Sequence, residues 1–344
     1  MKSLRTIMAA LLFLSFSSCA VHEFPDPSLD WYDVDLHLLF DTDIPVYQEI
    51  ERDFAKSKAV GVTLQRRYII KAYRSDGRSD ARDEAGSWVF YRPAGECPDT
   101  TVTLHIPDGN YRLLLWADFI EDGSESDYFY LTSDFADIRL PDRDGYKGAT
   151  DAREAFRGDV QIVSGTKSVD VGMQRPMAKY IFITTDLGKF MNNERQKAES
   201  RVEEQDASNS PDSPVRIPGV NLQNYGVRFI YPRYMSYSFN MFANRPSDSW
   251  TGVSFESDMK DLDEDSALVG FDYIFVNSHD TSIYVSVEVF DRRDGEVLAR
   301  IPAMDVPLRR NHKTIVRGDF LSVKAGNVVG IDPGFDGDFN IEIR

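Results

Sequence analysis

Cysteine is nearly absent from this chain, with only Cys19 and Cys97 in 344 residues. No disulfide framework can be built from two cysteines, so an exported fold of this kind must rest on hydrophobic cores. Apolar residues make up 42% of the sequence, enough to supply such cores. Histidine is scarce as well. His22, His37, His105, His279 and His312 stand singly, and none has a His or Cys partner at zinc-site spacing. Basic residues are the minority charge, 39 against 56 acidic, and the net charge is −17. An acidic surface repels phosphate backbones and anionic lipid alike, which argues against nucleic acid as a partner. The sequence has no G-x-S-x-G elbow, P-loop or dinucleotide fingerprint. Neither an enzyme nor a cofactor is expected. The apolar run Ile7 to Phe16 is too short to cross a bilayer as a permanent helix.

That same run is the first positive signal. Lys2 and Arg5 precede it, and Phe16-Ser-Ser-Cys19 follows it, so it reads as the h-region of a signal peptide. Small residues before a cysteine resemble a bacterial lipobox, with Phe16 where Leu is usual. The expectation is a signal peptide over residues 1–18, cleavage before Cys19, diacylation of its thiol and a short tether over 19–29. Attachment would then be by lipid to the outer membrane, without a spanning segment. Lipidation of Cys19 would leave Cys97 without a partner.

Period-two alternation dominates the rest of the chain. Val34, Leu36, Leu38 and Phe40 alternate with Asp33, Asp35 and His37. Val102, Leu104 and Ile106 alternate with Thr101, Thr103 and His105, and Ile283 to Val289 with Tyr284, Ser286 and Glu288. Each pattern predicts a strand with one buried face. Pro107-Asp-Gly-Asn110 and Asp294-Gly295 supply turns between strands. Many short strands predict an all-β protein of β-sandwiches. The best boundary lies near Gly172, giving an N-terminal sandwich over 30–172 and a C-terminal one over 173–344. In the second, a helix is predicted over 187–205, with Leu187, Met191, Ala198 and Val202 on one face and Phe190 beside them. A flexible loop is predicted over 206–214, and the charged stretch Tyr47–Lys58 is a candidate short helix.

Several features bear on function. Asp332, Asp336 and Asp338 lie among turn glycines and form a weak calcium candidate, at a spacing that does not match an EF-hand loop. Arg157-Gly-Asp159 and Arg317-Gly-Asp319 are RGD tripeptides beside predicted strands. Trp31, Trp88, Trp116 and Trp250 could build a sugar-stacking platform, with Trp116 the most core-like and Trp250 the most exposed in its context.

Several segments follow one another in a characteristic order. They are Tyr111-Arg-Leu-Leu-Leu-Trp-Ala-Asp118, Tyr146 to Phe156, Met173 to Lys179, Val306 to Thr314 and Gly330 to Ile343. With them, nearly the whole mature chain resembles the fimbrillin-like (type V pilin related) surface lipoproteins of the Bacteroidales, particularly a poorly characterised branch of them. The resemblance implies two tandem transthyretin-like β-sandwiches displayed at the cell surface. It implies partners that are other fimbrial or surface subunits, joined by strand addition. In polymerising members a trypsin-like protease removes the first strand, and a strand from the next subunit takes its place. Arg52, Lys56, Lys58, Arg66 and Arg67 are the candidate cleavage residues here. The C-terminal Phe339–Arg344 alternates but is short for a donor, which favours an accessory, anchor or tip role. The alternative is a glycan-binding surface lipoprotein of a nutrient-uptake system.

Overall fold

The computed structural model describes residues 30–45, 63–75, 82–206, 220–322 and 340–342. Its first half carries β1 (Trp31–Phe40), β2 (Leu64–Arg74), β3 (Glu84–Pro93), β4 (Thr100–Pro107), β5 (Tyr111–Glu121), a short β6 (Ile138–Arg139), β7 (Phe156–Ile162) and β8 (Ser168–Met173). The second half opens with β9 (Met177–Thr184) and the helix α1 (Leu187–Asp206). It continues with β10 (Tyr225–Tyr231), short β11 (Met235–Ser236), β12 (Ser238–Asn240), β13 (Arg245–Pro246) and β14 (Ser249–Trp250). It closes with β15 (Val253–Asp258), β16 (Lys260–Asp261), β17 (Ala267–Phe275), β18 (Thr281–Asp291), β19 (Val297–Leu308), β20 (Lys313–Gly318) and β21 (Asn340–Glu342). The fold is all-β with one helix.

In the first half the sheet β4-β1-β8 packs on the sheet β3-β2-β5-β7. The buried faces come from the alternating residues: Val34, Leu36 and Leu38 of β1, Leu104 of β4, and Ile70 and Leu113 across from them. The turn Pro107–Asn110 carries the chain from one sheet to the other instead of closing a hairpin within one. The second half has the sheets β16-β17-β9-β20-β21 and β15-β10-β18-β19. Asp294-Gly295 does lie in a hairpin, between β18 and β19. Gly295 takes a φ of +79°, and its N–H donates to the Asp291 carbonyl at 2.8 Å. Only glycine adopts that left-handed region freely.

Two strands of the second half, β9 and β17, are buried along their whole length. One face meets β10, where Tyr180 packs against Tyr231. The other meets the first half, where Phe275 packs against Trp116. In the first half, β2 and β5 are likewise buried on both faces over most of their length. In β5, Leu113 and Leu115 enter the first core, while Leu114 and Trp116 enter a second cluster that runs on through β9, β10, β17 and β18. Ile138 of β6 pairs with Phe239 of β12, so one small sheet is shared by the two halves.

Helix α1 docks by its first turn. Leu187 and Phe190 are buried, and Phe190 meets the Tyr225 ring edge-on at 5.0 Å. The Asp186 carbonyl accepts the Phe190 N–H at 2.9 Å. The Asp186 carboxylate accepts the backbone N–H groups of Leu321 and Ser322 at 3.2 and 2.7 Å, which ties the helix start to the chain after β20.

Candidate functional site

The first strand is the centre of its sheet. It pairs antiparallel with β4, Leu36 facing Val102, and parallel with β8, Leu36 facing Val169 and Phe40 facing Met173. Both backbone edges of β1 are therefore bonded, and burial of each large side chain on its inner face contributes about 1.5–3 kcal/mol. The outer face is polar and laced across the three strands. His37 reaches Thr101 at 2.9 Å on one side and Ser168 at 2.8 Å on the other. Thr103 donates to Asp35 at 2.7 Å, and His105 contacts Asp33 at 2.9 Å. The slot occupied by β1 would, if emptied, expose an apolar groove between two unpaired edges, a geometry that accepts an added strand.

The chain leaving β1 is held from the second half. Arg175, buried between β8 and β9, donates to the carbonyls of Asp41 and Thr42 at 2.7 and 2.8 Å. The same guanidinium donates to Asn311 Oδ1 at 2.8 Å and to Glu154 Oε1 at 2.7 Å, and it lies over the Phe156 ring. Asn311 in turn donates to the Asp41 carboxylate at 2.6 Å. Asn311 adopts φ +57°, and its N–H donates to the Met177 carbonyl at 2.9 Å. Withdrawing residues 41 and 42 would leave a buried guanidinium short of two acceptors, an unfavourable state.

A second buried constellation fixes the connection between β6 and β7 onto the second half. Arg153 donates to Asp272 Oδ1 at 2.5 Å, and both side chains are nearly inaccessible. Tyr146 and Tyr231 each donate to Asp272 Oδ2 at 2.6 Å, and the hydroxyls of Tyr231 and Tyr180 stand 2.5 Å apart. Tyr130 donates to the Arg153 carbonyl. Burial pushes the three phenols Tyr146, Tyr180 and Tyr231 well above their ordinary range. For Arg153 burial opposes the charge, but Asp272 and the surrounding phenols outweigh it and keep the guanidinium protonated. Every member has a partner, so the cluster is a fixed joint. Around it, Lys179 donates to Asp151 at 2.6 Å and Tyr273 to the same carboxylate oxygen at 2.9 Å.

The sequence-derived candidates fall in different places. Arg66 and Arg67 lie inside β2, both buried, where a protease would need an accessible extended chain. Arg67 makes a two-point contact with Asp118, at 2.9 and 2.7 Å, and reaches Asp127 at 2.7 Å. Cys19, Arg52, Lys56, Lys58, Asp332, Asp336 and Asp338 lie outside the described residues, as does the 207–214 part of the loop. Among the described residues no group of three or more His, Cys, Asp and Glu could hold a metal ion. Among them, too, no helix is long and apolar enough to cross a membrane. Both RGD tripeptides lie on strands or at their ends: Arg157 and Asp159 are paired within β7, and Arg317 lies in β20. Trp116 is fully buried. Trp250 is half-buried and stacks on Tyr237, with centroids 4.3 Å apart and planes within 6°.

Arg153, Asp272 and the Arg175 contacts are what sequence reasoning missed. The only signal was indirect: Tyr146–Phe156 and Met173–Lys179 stood out as segments, and these are the two stretches that build the joint and the clamp.

These features define a class: an all-β protein of two β-sandwiches that share buried surface, with its first strand inserted centrally. The chain belongs to the family DUF6562, described as a family of unknown function, whose model matches residues 30–344. No curated protein matches it. Among solved structures it is similar to a candidate adhesin from Bacteroides ovatus, at 10% identity and a TM-score of 0.44, covering 85% of this chain and 90% of that one. It is similar to a candidate polysaccharide-binding protein from Bacteroides thetaiotaomicron, at 11% identity and 0.44, covering 78% and 80%. It is also similar to the fimbrial anchor protein Mfa2 from Porphyromonas gingivalis, at 12% identity and 0.36, covering 79% and 82%. Identities and scores this low transfer no function to this chain.

Proposed function

We propose that this protein is a non-enzymatic, lipid-anchored surface protein related to fimbrial subunits, acting in an accessory, anchor or tip role. The observation that carries the reading is β1, a complete amphipathic strand seated between β4 and β8 in a slot shaped for strand addition. The clamp of Arg175 on Asp41 and Thr42 favours a subunit that keeps its own first strand. Partners are other fimbrial or surface subunits joined by strand pairing. The membrane anchor is an acylated Cys19 in the outer membrane, exposed to the cell surface. The test is the mature N-terminus by mass spectrometry from intact cells, together with membrane fractionation of Cys19→Ala. A diacylated Cys19 and release of the variant are expected. An unmodified N-terminus, or a variant that stays membrane-bound, overturns the anchor.

The glycan-binding alternative draws on one feature. Tyr237 and Trp250 form a parallel, half-buried pair, Tyr237 donates to Asp248 at 2.7 Å, and Tyr234 nearby in sequence is 77% exposed. Aromatic faces beside a carboxylate suit a sugar ring. Glycan-array binding that is lost in Trp250→Ala would favour this reading over the first.

A further inference from the structure

The segments 128–129 and 140–147 enclose, with Arg153, a cavity of about 270 Å³. Its inner wall is buried and apolar, formed by Phe129, Leu140 and the ring of Tyr146. Tyr128 stands half-buried at one side, braced edge-to-face by Phe129 with ring centroids 4.7 Å apart. Arg153 closes the buried end, over the Tyr146 ring, and its charge is already taken up by Asp272.

Two exposed side chains of opposite sign line the same cavity, Asp142 and Lys147. Each Asp142 oxygen accepts one backbone N–H, from Asp144 at 3.0 Å and from Gly145 at 3.1 Å. A carboxylate oxygen has two lone pairs, so both can accept once more. Lys147 has no partner among the described residues. The chain that carries it is fixed in place. Gly148 approaches Phe255 so closely that a Cβ there would lie 2.5 Å from the ring. Beside it Ala149 takes φ +53°, uncommon for a residue with a side chain, and its N–H donates to the Phe271 carbonyl at 3.0 Å. This wall of the cavity is therefore pre-formed against the second half.

The charges decide what fits. An anion would face Asp142, and a cation would face Lys147. A neutral group that both donates and accepts hydrogen bonds suits the two together, and hydroxyls do so. The aromatic and aliphatic walls require that the same ligand also has an apolar face. A volume of about 270 Å³ lies just under the range of about 300–1,000 Å³ for drug-sized ligands, so the space suits one ring.

We infer that this cavity binds one neutral pyranose sugar ring, its hydroxyls between Asp142 and Lys147 and its C–H face on Tyr128. The site shares no side chain with the Tyr237–Trp250 pair and requires no fimbrial role.

The test is saturation-transfer difference NMR of the full chain with glucose, galactose, mannose and N-acetylglucosamine, and with glucuronate and glucosamine as charged counterparts. Saturable transfer to the ring protons of at least one neutral sugar is expected. Lys147→Ala should raise its Kd about tenfold or more, as loss of a hydrogen bond from a charged group implies, and leave the unfolding midpoint unchanged. Tyr128→Ala should weaken binding as well, through loss of the stacking wall, and Lys147→Ala decides alone if that variant does not fold. Trp250→Ala should bind as the natural protein does. No saturable transfer to any neutral sugar overturns the inference, as does transfer confined to glucuronate or glucosamine. Binding that survives the cavity variants unchanged overturns it too, and if that binding is lost in Trp250→Ala the sugar sits on the stacked pair.

Discussion

Arg153 and Asp272 show what a single residue can decide here. Their contact lies where almost no water reaches, and each is the other's only opposite charge among the described residues. Arg153→Met would leave the Asp272 carboxyl buried among phenols without its cation, where burial already pushes its pKa up, and removal of one member of such a pair costs about 3–5 kcal/mol. Urea unfolding should register that loss, and adding Asp272→Asn should recover part of it, as a double-mutant cycle requires for coupled residues. Asp159 gives a prediction with a pH sign. Burial works against its charge, but the hydrogen bonds and charges of Arg112 and Arg157 outweigh it and hold its pKa below the ordinary 3.8. Its folded pKa is depressed, so the stability it contributes is present above the unfolded pKa and lost as pH falls through the folded one. Asp159→Asn should therefore be less stable than the natural protein near neutral pH. The gap should close below pH 3.8, measured by unfolding midpoints across an acid series.

At the scale of the element, β1 is the strand to perturb. Leu36 is fully buried between Val102 and Val169, so Leu36→Asp would place an unpaired carboxylate in the first core. The expected cost is several kcal/mol, on the order of other buried unpaired charges, and should appear in urea titration. Seating of the strand is a separate matter. Cutting the connection between β1 and β2 with a trypsin-like protease should leave β1 bound and the protein monomeric, because Arg175 and Asn311 hold its downstream end. In Arg175→Met the same cut should let β1 exchange with an added peptide of its own sequence, read by native mass spectrometry. Detergent-resistant ladders from the nicked natural protein would instead favour a polymerising subunit.

For the whole molecule, the core does not stop at the boundary in the chain. Trp116 of the first half packs edge-on against Tyr130 and against Phe275 of the second half, within a cluster that extends to β18. Add the joint of Arg153 and the sheet shared by β6 and β12, and the halves lack the small polar interface that lets domains unfold separately. Calorimetry should show one transition for both halves. Trp116→Ala should lower it as a unit by about 3–5 kcal/mol. Two resolved transitions, with only one moved by the mutation, would show that the halves unfold separately.

The sequence by itself determined the strands that bury one face. The alternation of Val34, Leu36, Leu38 and Phe40 is a local property, because side chains along a strand point to opposite sides in turn. It also determined the all-β class and the helix that starts at Leu187. It did not show that Leu114 and Trp116 serve one core while Leu113 and Leu115 serve another. A strand buried on both faces has no alternation to read, and its second partner is chosen only when the halves dock. Arg67 illustrates the same limit from the charged side. In sequence it is a basic residue suited to a protease. In the fold Asp118 and Asp127, 51 and 60 residues away, turn it into a buried ion pair. Arg153 finds Asp272 across 119 residues, and Arg175 reaches back to Asp41 across 134. Periodicity reports which way a side chain points, and only the tertiary structure decides what waits there.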